Sequence, residues 1–222
     1  MKETYDENGE ERMHGALSML CMRDDLDCYM SACKQFEVTP SQTFIDQIAA
    51  RTIRIKHNSL SAIELGPVLH VLAERATAPI TSLDFSCNPI TDKAAGLLVA
   101  FLNTSAADCL TYLNLSDCQL GLRGGQQIFD CIQDNFSIKE LYLSQNDFGD
   151  HIGPAIQSFL LVNDVLKCLD VSRNKLSIEA SEKLADGLSK NTTLVNLNVS
   201  WNGIRLKGGE AIGGAFIVSF VS

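Results

Sequence analysis

The stretch LDVSRNKL, residues 169–176, decides the fold because close copies of it recur along the chain. The copies are LDFSCNPI from Leu83, LNLSDCQL from Leu113, LYLSQNDF from Leu141 and LNVSWNGI from Leu197. Self-similarity at a fixed period indicates a repeat architecture, in which each copy is one structural unit.

Each unit follows the pattern L-x-x-L-x-L-x-x-N-x-L, then a small residue, then apolar residues four apart. Counting the first residue of a unit as position one, six units follow one another at spacings of 30, 30, 28, 28 and 28 residues. They begin at Ala50, Ile80, Leu110, Ile138, Leu166 and Leu194. Position nine is Asn in five units and Cys118 in the third, and its side chain can satisfy backbone groups where the chain turns off the strand.

The two apolar periods predict a strand and then a helix in every unit. Alternation with period two predicts a short strand with one buried face, and apolar residues four apart predict one stripe of a helix. A strand, a helix and the next parallel strand form a right-handed crossover, and neighbouring units must stack to bury their apolar faces. The sequence therefore predicts the α/β class: a right-handed α/β solenoid of about six repeats, with a parallel sheet on the concave face and helices on the convex face.

With repeats of 28 residues and a full helix in each, the chain resembles the leucine-rich repeat proteins of the ribonuclease-inhibitor class. The resemblance covers residues 50 to about 216 and includes the asparagine-or-cysteine position. The preceding YMSACKQFEVTPSQTFI, residues 29–45, resembles the lead-in of the leucine-rich repeat-containing protein 74 family. The class implies an intracellular binding scaffold with a curved parallel sheet on its concave face.

Three parts of the chain are expected. Residues 1–24 are acidic, lack a periodic pattern and are expected to be disordered. Residues 25–49 are expected to form a helical N-terminal cap. Its apolar residues fall on one helical face and, after Pro40, in a second segment: Leu26, Tyr29, Cys33, Phe36, Phe44, Ile45 and Ile48.

The third part, residues 50–222, holds the repeats and an incomplete or atypical C-terminal end. That end, AIGGAFIVSFVS at 211–222, is more apolar than one helical stripe requires. It either folds over the last unit as a crude cap or marks a chain that ends early, with further repeats missing. In the second case, self-association through this apolar end is expected.

Composition excludes several classes of protein. The net charge of −9 argues against a nucleic-acid binder, which needs Lys and Arg facing phosphates. The eight cysteines contain no C-x-x-C pair, so reduced and mostly buried thiols are expected. The acidic start is a poor signal peptide and no apolar run reaches the length of a membrane span, so a cytoplasmic protein without membrane association is expected.

Catalytic and metal motifs have no support in the sequence. The DFG at 147–149 resembles a kinase metal-binding turn, but Phe148 occupies an apolar repeat position. The YDENGEE at 5–11 resembles part of a calcium loop, yet Gly15 stands where the closing glutamate belongs. The four histidines lack zinc-ligand spacing. A non-enzymatic protein with no cofactor and no metal is therefore expected.

Recognition is expected on the concave face, where positions three, five and seven point away from the core. Position seven is Ser in five units, which is more typical of structural regularity than of recognition. Tyr112 and Tyr142 lie on adjacent strands and are predicted to form one aromatic patch. Trp201, at position eight among polar equivalents, is predicted to lie at the rim as a binding hot spot, the alternative being that it packs over the terminal unit.

The predicted partner-binding residues also carry an acidic bias, which favours a protein partner with a basic surface. The full set is Asp84, Tyr112, Glu140, Tyr142, Asp170, Arg173 and Trp201.

Two functions are open. The first is a protein-interaction scaffold that binds partner proteins through the concave face. The second is a regulator of a small GTPase, acting like an activator, because the ribonuclease-inhibitor class includes GTPase activators. Arg173 and Asn202 are the polar residues that such a role would use.

Overall fold

The computed structural model describes residues 24–57, 60–75 and 79–219, with the side chains of 216–219 left out. Three expectations lie outside these residues: the disorder of 1–23, the role of Asn58 at position nine of the first unit, and the contacts of the apolar side chains in 216–222. Residue 24, placed in the disordered part by the sequence, is helical.

Six strands of three residues form one parallel sheet whose spatial order follows the chain. Equivalent residues of successive units face one another: Leu113, for example, pairs with Leu83 on one side and Leu141 on the other. Each unit position therefore forms a row across the sheet. The strands are β1 (Thr52–Arg54), β2 (Ser82–Asp84), β3 (Tyr112–Asn114), β4 (Glu140–Tyr142), β5 (Cys168–Asp170) and β6 (Asn196–Asn198).

A helix follows every strand and returns the chain to the start of the next one. Two further helices, α1 over 24–35 and α2 (Gln42–Ile45), precede the first strand. A 3-10 turn, Ser105–Ala107, lies in the second unit, which is 30 residues long, and another, Asp150–Ile152, lies in the fourth unit. The other helices are α3 (Ala62–Glu74), α4 (Thr91–Leu102), α5 (Leu122–Ile132), α6 (Gly153–Val162), α7 (Ile178–Leu188) and α8 (Arg205–Ser219).

One core runs between the sheet and the helices. In the fifth unit the strand residues Leu169 and Val171 are fully buried, as are Leu184 and Leu188 of the helical stripe at 1% and 3% exposure. The same pattern holds along the chain, because each unit closes the core of its neighbour. The predicted α/β solenoid, with its parallel sheet on one face and its helices on the other, is confirmed.

Residues before the first strand pack on the beginning of this core. The rings of Tyr29 and Phe44 meet edge to face at 4.6 Å, and burial raises the pKa of Tyr29 to about 12. The side chain of Gln47 accepts the Arg54 N–H at 2.7 Å and donates to the Arg54 carbonyl at 3.0 Å, on the side of β1 away from β2. Phe36 was expected on the same face as Tyr29, but α1 ends at residue 35 and Phe36 is 44% exposed.

Two helices are capped by aspartates from the preceding unit. Asp92 accepts the N–H groups of Gly121 at 2.7 Å and Gly124 at 2.9 Å, at the beginning of α5. A Cβ at Gly124 would collide with this carboxylate, so only glycine allows the approach. Asp150 likewise accepts the N–H of Ser177 at 2.5 Å and its hydroxyl, at the beginning of α7.

The seven cysteines in the described part are free thiols, but only Cys33 and Cys118 are buried. The expectation of mostly buried thiols is therefore wrong, since the other five described cysteines are partly or fully exposed. No helix within the described residues is long and apolar enough to cross a membrane.

Candidate interaction face

The turns that leave the strands are held by the side chains at position nine. The Oδ1 of Asn146 accepts the N–H groups of Cys118 and Leu120 at 3.1 and 3.0 Å, and its Nδ2 donates to the carbonyls of Leu115 and Leu143. The Asn146 amide therefore joins two units, because it bonds to the backbone of both. The equivalents Asn88 and Asn202 also bond to the backbone of the preceding unit from both ends of the amide.

The odd-numbered units use the same position differently. Asn174 donates to the carbonyls of Leu143 and Ser172, but its Oδ1 is buried and accepts no hydrogen bond. Cys118, in the other described odd unit with this position, only donates, from its thiol to the Phe85 carbonyl at 3.2 Å. Burial raises the pKa of Cys118 to about 12, so it remains a protonated donor. Cysteine is accommodated because an odd unit needs a donor and no acceptor there.

The backbone after position nine alternates in the same way. A left-handed residue stands at position twelve in the second, fourth and sixth units, and at position ten in the third and fifth. The residues are Thr91, Gly149 and Arg205 in the first group, and Gln119 and Lys175 in the second. The structural period of the solenoid is therefore two units.

Position eight is left-handed in all six units, with φ between 49° and 60°. Residues other than glycine seldom adopt this conformation, and no glycine occurs here. We call these side chains, along one edge of the concave face, the position-eight ridge: His57, Cys87, Asp117, Gln145, Arg173 and Trp201.

Short polar side chains at position five hold the ends of four strands. Asp84 and Asp170 accept the N–H of the serine two residues later at 3.1 and 2.9 Å, and Asn114 and Asn198 do the same at 3.0 and 3.1 Å. The serines at position seven are thus part of a repeated local turn. Both aspartates therefore have a structural role that the sequence analysis missed.

Asp84 departs most from its predicted role. Its side chain is 3% exposed and lies 2.7 Å from the Nζ of Lys56, whose pKa is raised by this hydrogen bond. Because it is buried and ion-paired, Asp84 does not offer a free negative charge to a partner.

The tyrosines predicted to form one patch are in contact. The ring centroids of Tyr112 and Tyr142 lie 5.2 Å apart at an angle of 39°, and both residues are half-buried. The Tyr142 hydroxyl donates to Glu140 at 3.0 Å. A hydrogen bond with the Cys168 thiol, burial and the Glu140 carboxylate together raise the pKa of Tyr142.

Two predicted acidic residues border these rings. The strand register places Glu140 opposite Tyr112, and Asp170 opposite Tyr142. Within the described residues, no Lys, Arg or His nitrogen lies within ion-pairing distance of either carboxylate. We call Tyr112, Glu140, Tyr142 and Asp170 the tyrosine–acid patch.

Arg173 and Trp201 form a separate pair on the position-eight ridge. The Arg173 guanidinium carbon lies 4.7 Å from the centre of the Trp201 ring, in a cation–π contact. Trp201 is 76% exposed, so it does not pack over the terminal unit. Among the residues that the structure describes, its ring contacts neither Tyr112 nor Tyr142.

A second row of asparagines, not recognised from the sequence, lies where the chain returns from helix to strand. The amide of Asn163 donates to the Ile132 and Asn135 carbonyls, and its Oδ1 accepts the N–H of Leu166 at 2.9 Å. Asn191, 28 residues later, makes equivalent contacts, and Asn135, 28 residues earlier, likewise accepts the N–H of Ile138. Alignment of the units beyond the strand would have revealed this spacing.

The DFG motif is part of the repeat, whereas the YDENGEE stretch at 5–11 lies outside the described residues. Phe148 is 2% exposed and packs edge to face on Phe129, while Asp147 forms an ion pair with Lys175 at 2.6 Å. Within the described part of the chain, no group of three His, Cys, Asp or Glu side chains is arranged to hold a metal ion.

Comparison with known proteins identifies the repeat. A family model described as a leucine rich repeat matches residues 78–99, 108–129 and 190–213. The human protein named NACHT, LRR and PYD domains-containing protein 13 is 27% identical over 129 residues, which are 58% of this chain. That alignment spans only 12% of the length of the human protein.

Three solved structures have a partly similar backbone fold. A tropomodulin C-terminal domain from Caenorhabditis elegans has a TM-score of 0.48 and 10% identity, over 60% of this chain and 78% of that domain. Actin-binding site 2 of leiomodin-1 has a TM-score of 0.49 and 14% identity, over 82% and 92% of the two chains. An internalin from Listeria monocytogenes has a TM-score of 0.45 and 18% identity, over 78% and 49%. At these scores, nothing about the function of this chain follows from the three likenesses.

The matched repeats agree with the observed architecture. Six strands pair in parallel and in sequence order, and each match begins shortly before one of them. This chain therefore contains leucine-rich repeats and has the fold of an α/β solenoid.

Proposed function

We propose that the protein is a non-enzymatic scaffold that binds a protein partner through the concave face of its sheet. The observation that carries this proposal is the Tyr112–Tyr142 ring pair, whose rings lie 5.2 Å apart on that face. Tyrosine and tryptophan dominate the energetics of protein interfaces because they bury a large area at a low cost in side-chain entropy.

The width of the face limits the size of the partner. Six strands at a spacing of about 4.8 Å make a sheet roughly 25 Å across. Such a sheet has room for a helix, an extended segment or one small domain.

Charge along the face favours a partner with a basic surface over the later strands. Arg54 and Lys56 are exposed on and just after β1, where Lys56 neutralises Asp84. Glu140 and Asp170 carry the negative charge of β4 and β5 without a basic neighbour in the described residues. A basic surface placed over these strands meets a complementary potential, which accelerates association and fixes orientation.

Capture of partners from a lysate, followed by mass spectrometry, tests the proposal. The native chain is compared with the Tyr112→Ala/Tyr142→Ala/Trp201→Ala variant and with Phe136→Ala, which removes an 88% exposed aromatic ring away from the sheet. We expect the triple variant to lose proteins that the Phe136 variant keeps. Retention of every partner by both variants would move the binding site to the helices or the termini. Recovery of chaperones alone by the native chain would contradict a scaffold.

The alternative function is regulation of a small GTPase, and of the two residues named for it only Arg173 is available. The Asn202 amide is occupied by the backbone of Asn174, Leu176 and Val171, so it is not free to reach a nucleotide. Arg173 remains exposed at the ridge, stacked on Trp201. Measurement of GTP hydrolysis by common small GTPases separates the two functions, since a scaffold leaves the rate unchanged.

We further propose that the chain belongs to the ribonuclease-inhibitor class, because its units of 28 residues are typical of that class. The resemblance of residues 29–45 supports a place near the leucine-rich repeat-containing protein 74 family. Free thiols among the described cysteines support a reducing, cytoplasmic location. The Gln47–Arg54 contacts support a capping role for residues 25–49.

Self-association through the C-terminal end is a further proposal. Leu194, Leu197 and Val199 of the last unit are only partly buried, whereas their equivalents in the fifth unit are at most 3% exposed. Light scattering at increasing protein concentration measures this directly, and a constant monomeric mass would contradict it.

A further inference from the structure

The two carboxylates of the tyrosine–acid patch differ from the ion-paired aspartates of the same chain. Asp84 and Asp147 each lie beside a lysine, at 2.7 and 2.6 Å. Glu140 and Asp170 lie beside tyrosine rings instead, with no such counter-charge among the described residues. Their negative charge is therefore available to a cation from outside.

The hydrogen bonds of these carboxylates leave that charge in place. Glu140 accepts one bond, from the neutral Tyr142 hydroxyl at 3.0 Å. Asp170 accepts the Ser172 N–H at 2.9 Å and the Asn198 amide at 2.9 Å. Neutral donors orient a carboxylate without cancelling its charge.

The tyrosine rings contribute the second half of the site. A cation over the face of an aromatic ring is attracted by the negative potential of that face. The chain already shows this interaction on the position-eight ridge, where the Arg173 guanidinium lies 4.7 Å from the centre of the Trp201 ring. In the patch, rings and carboxylates adjoin, but the cation is not supplied by any residue that the structure describes.

We propose that the tyrosine–acid patch binds one arginine side chain of the protein partner, with its guanidinium against a tyrosine ring and its N–H groups on Glu140 and Asp170. Arginine fits better than lysine because its planar, weakly hydrated group stacks on rings and donates to two carboxylates at once. This assignment rests on the proposed function and names the chemistry that the concave face recognises.

Titration with N-acetyl-arginine amide tests the site without knowledge of the partner. The probe is added to the full chain with ring-labelled tyrosine, which reports on only four residues. We expect saturable shifts of the Tyr112 and Tyr142 ring signals, while the signal of the buried Tyr29 stays in place. N-acetyl-citrulline amide, the neutral planar analogue, is expected to bind at least about tenfold more weakly because it lacks the charge. Equal binding of both probes, or no shift with either, would overturn the proposal.

Variants that remove charge but keep shape supply the second test. Glu140→Gln/Asp170→Asn is expected to weaken binding of the arginine probe by at least about tenfold. Asn already occupies position five in the third and sixth units, where it caps the same serine N–H, so the Asp170 substitution preserves the fold. The matched control is Asp117→Asn, which removes a charge from the ridge outside the patch and should leave the affinity unchanged.

The same variants separate this inference from the proposed function. Lysate capture is repeated with Tyr112→Ala/Tyr142→Ala and with Glu140→Gln/Asp170→Asn. Loss of the partner in both supports the arginine site. Loss in the tyrosine variant alone would refute the arginine site and leave binding by the concave face intact. Retention in both would refute the two proposals together.

Discussion

Asn146 and Asn174 occupy the same position of successive units, yet their side chains make different hydrogen bonds. Asn146 both accepts and donates, whereas the buried Oδ1 of Asn174 accepts nothing. At the scale of the residue, the asparagine pattern thus combines two different requirements. Cys118 shows that an acceptor is not required in every unit, because its thiol replaces the donor of the asparagine amide but not the acceptor.

The difference predicts unequal costs for the same substitution. Asn146→Cys leaves the buried N–H groups of Cys118 and Leu120 without an acceptor, and each such group costs about 1–3 kcal/mol. We expect the free energy of unfolding to fall by roughly 2–6 kcal/mol. Asn174→Cys removes no accepted bond and should cost less than about 1 kcal/mol. Urea denaturation of the two variants measures both values, and equal losses would show that the position has one role in all units.

At the scale of the element, the beginning of α7 depends on a residue outside its own unit. Asp150 accepts the N–H and the hydroxyl of Ser177, 27 residues later. Burial raises the pKa of Asp150, but the hydrogen bonds from Ser177 outweigh it and the pKa is lowered overall. The carboxylate is therefore a cap for the helix and a link between the fourth and fifth units.

Removal of this cap has a cost that depends on pH. Asp150→Ala is expected to lower the free energy of unfolding by about 1 kcal/mol near neutral pH, the usual cost of a lost helix cap. A carboxyl with a lowered folded-state pKa stabilises fully above its ordinary value of 3.8, and this contribution disappears as the pH falls below that value. The difference between the native chain and the variant should therefore shrink in acid.

Denaturant unfolding at a series of pH values checks this expectation. Asp164→Ala is the control, since Asp164 is exposed and its carboxylate accepts no side-chain hydrogen bond within the described residues. The control should change stability by less than about 0.5 kcal/mol at every pH. A pH-independent loss in the Asp150 variant would mean that packing, and not the ionised cap, holds the beginning of α7.

At the scale of the whole molecule, each strand is protected by the one after it. The N–H groups of Val171 and Arg173 donate to the Asn198 and Ser200 carbonyls in the next unit. The equivalent N–H groups of Val199 and Trp201 have no backbone acceptor among the described residues. Local stability is therefore expected to fall towards β6.

Hydrogen exchange measures this gradient. We expect the amides of Val199 and Trp201 to exchange on the order of a hundredfold faster than those of Val171 and Arg173. The experiment is made at two protein concentrations, so that protection gained by self-association is recognised. Equal protection at low concentration would show that the edge of β6 is covered within one molecule.

Sequence periodicity predicted the buried residues of each unit, because their pattern is local. It did not predict the ion pair and the helix cap that join side chains of different units. Leu169 and Leu184 are buried, as predicted from apolar residues that alternate in the strand and lie four apart in the helix. Both patterns are visible within one unit. Two interactions join residues about one unit apart: the ion pair between Asp84 and Lys56, and the hydrogen bond from the Gly121 N–H to Asp92. No local pattern reveals them. The Tyr112–Tyr142 contact was predictable because the strand register follows from the repeat itself.

The two-unit alternation also bears on how a chain of this kind grows. Units whose position-nine side chain only donates lie next to units whose position-nine side chain both donates and accepts. Asp92 and Asp150 each cap the helix of the unit that follows them. Insertion of a single unit would place two of the same kind side by side, with N–H groups lacking acceptors at the junction. A gene that lengthens by copying adjacent pairs avoids this mismatch. Variation in repeat number among such chains should therefore occur in steps of two.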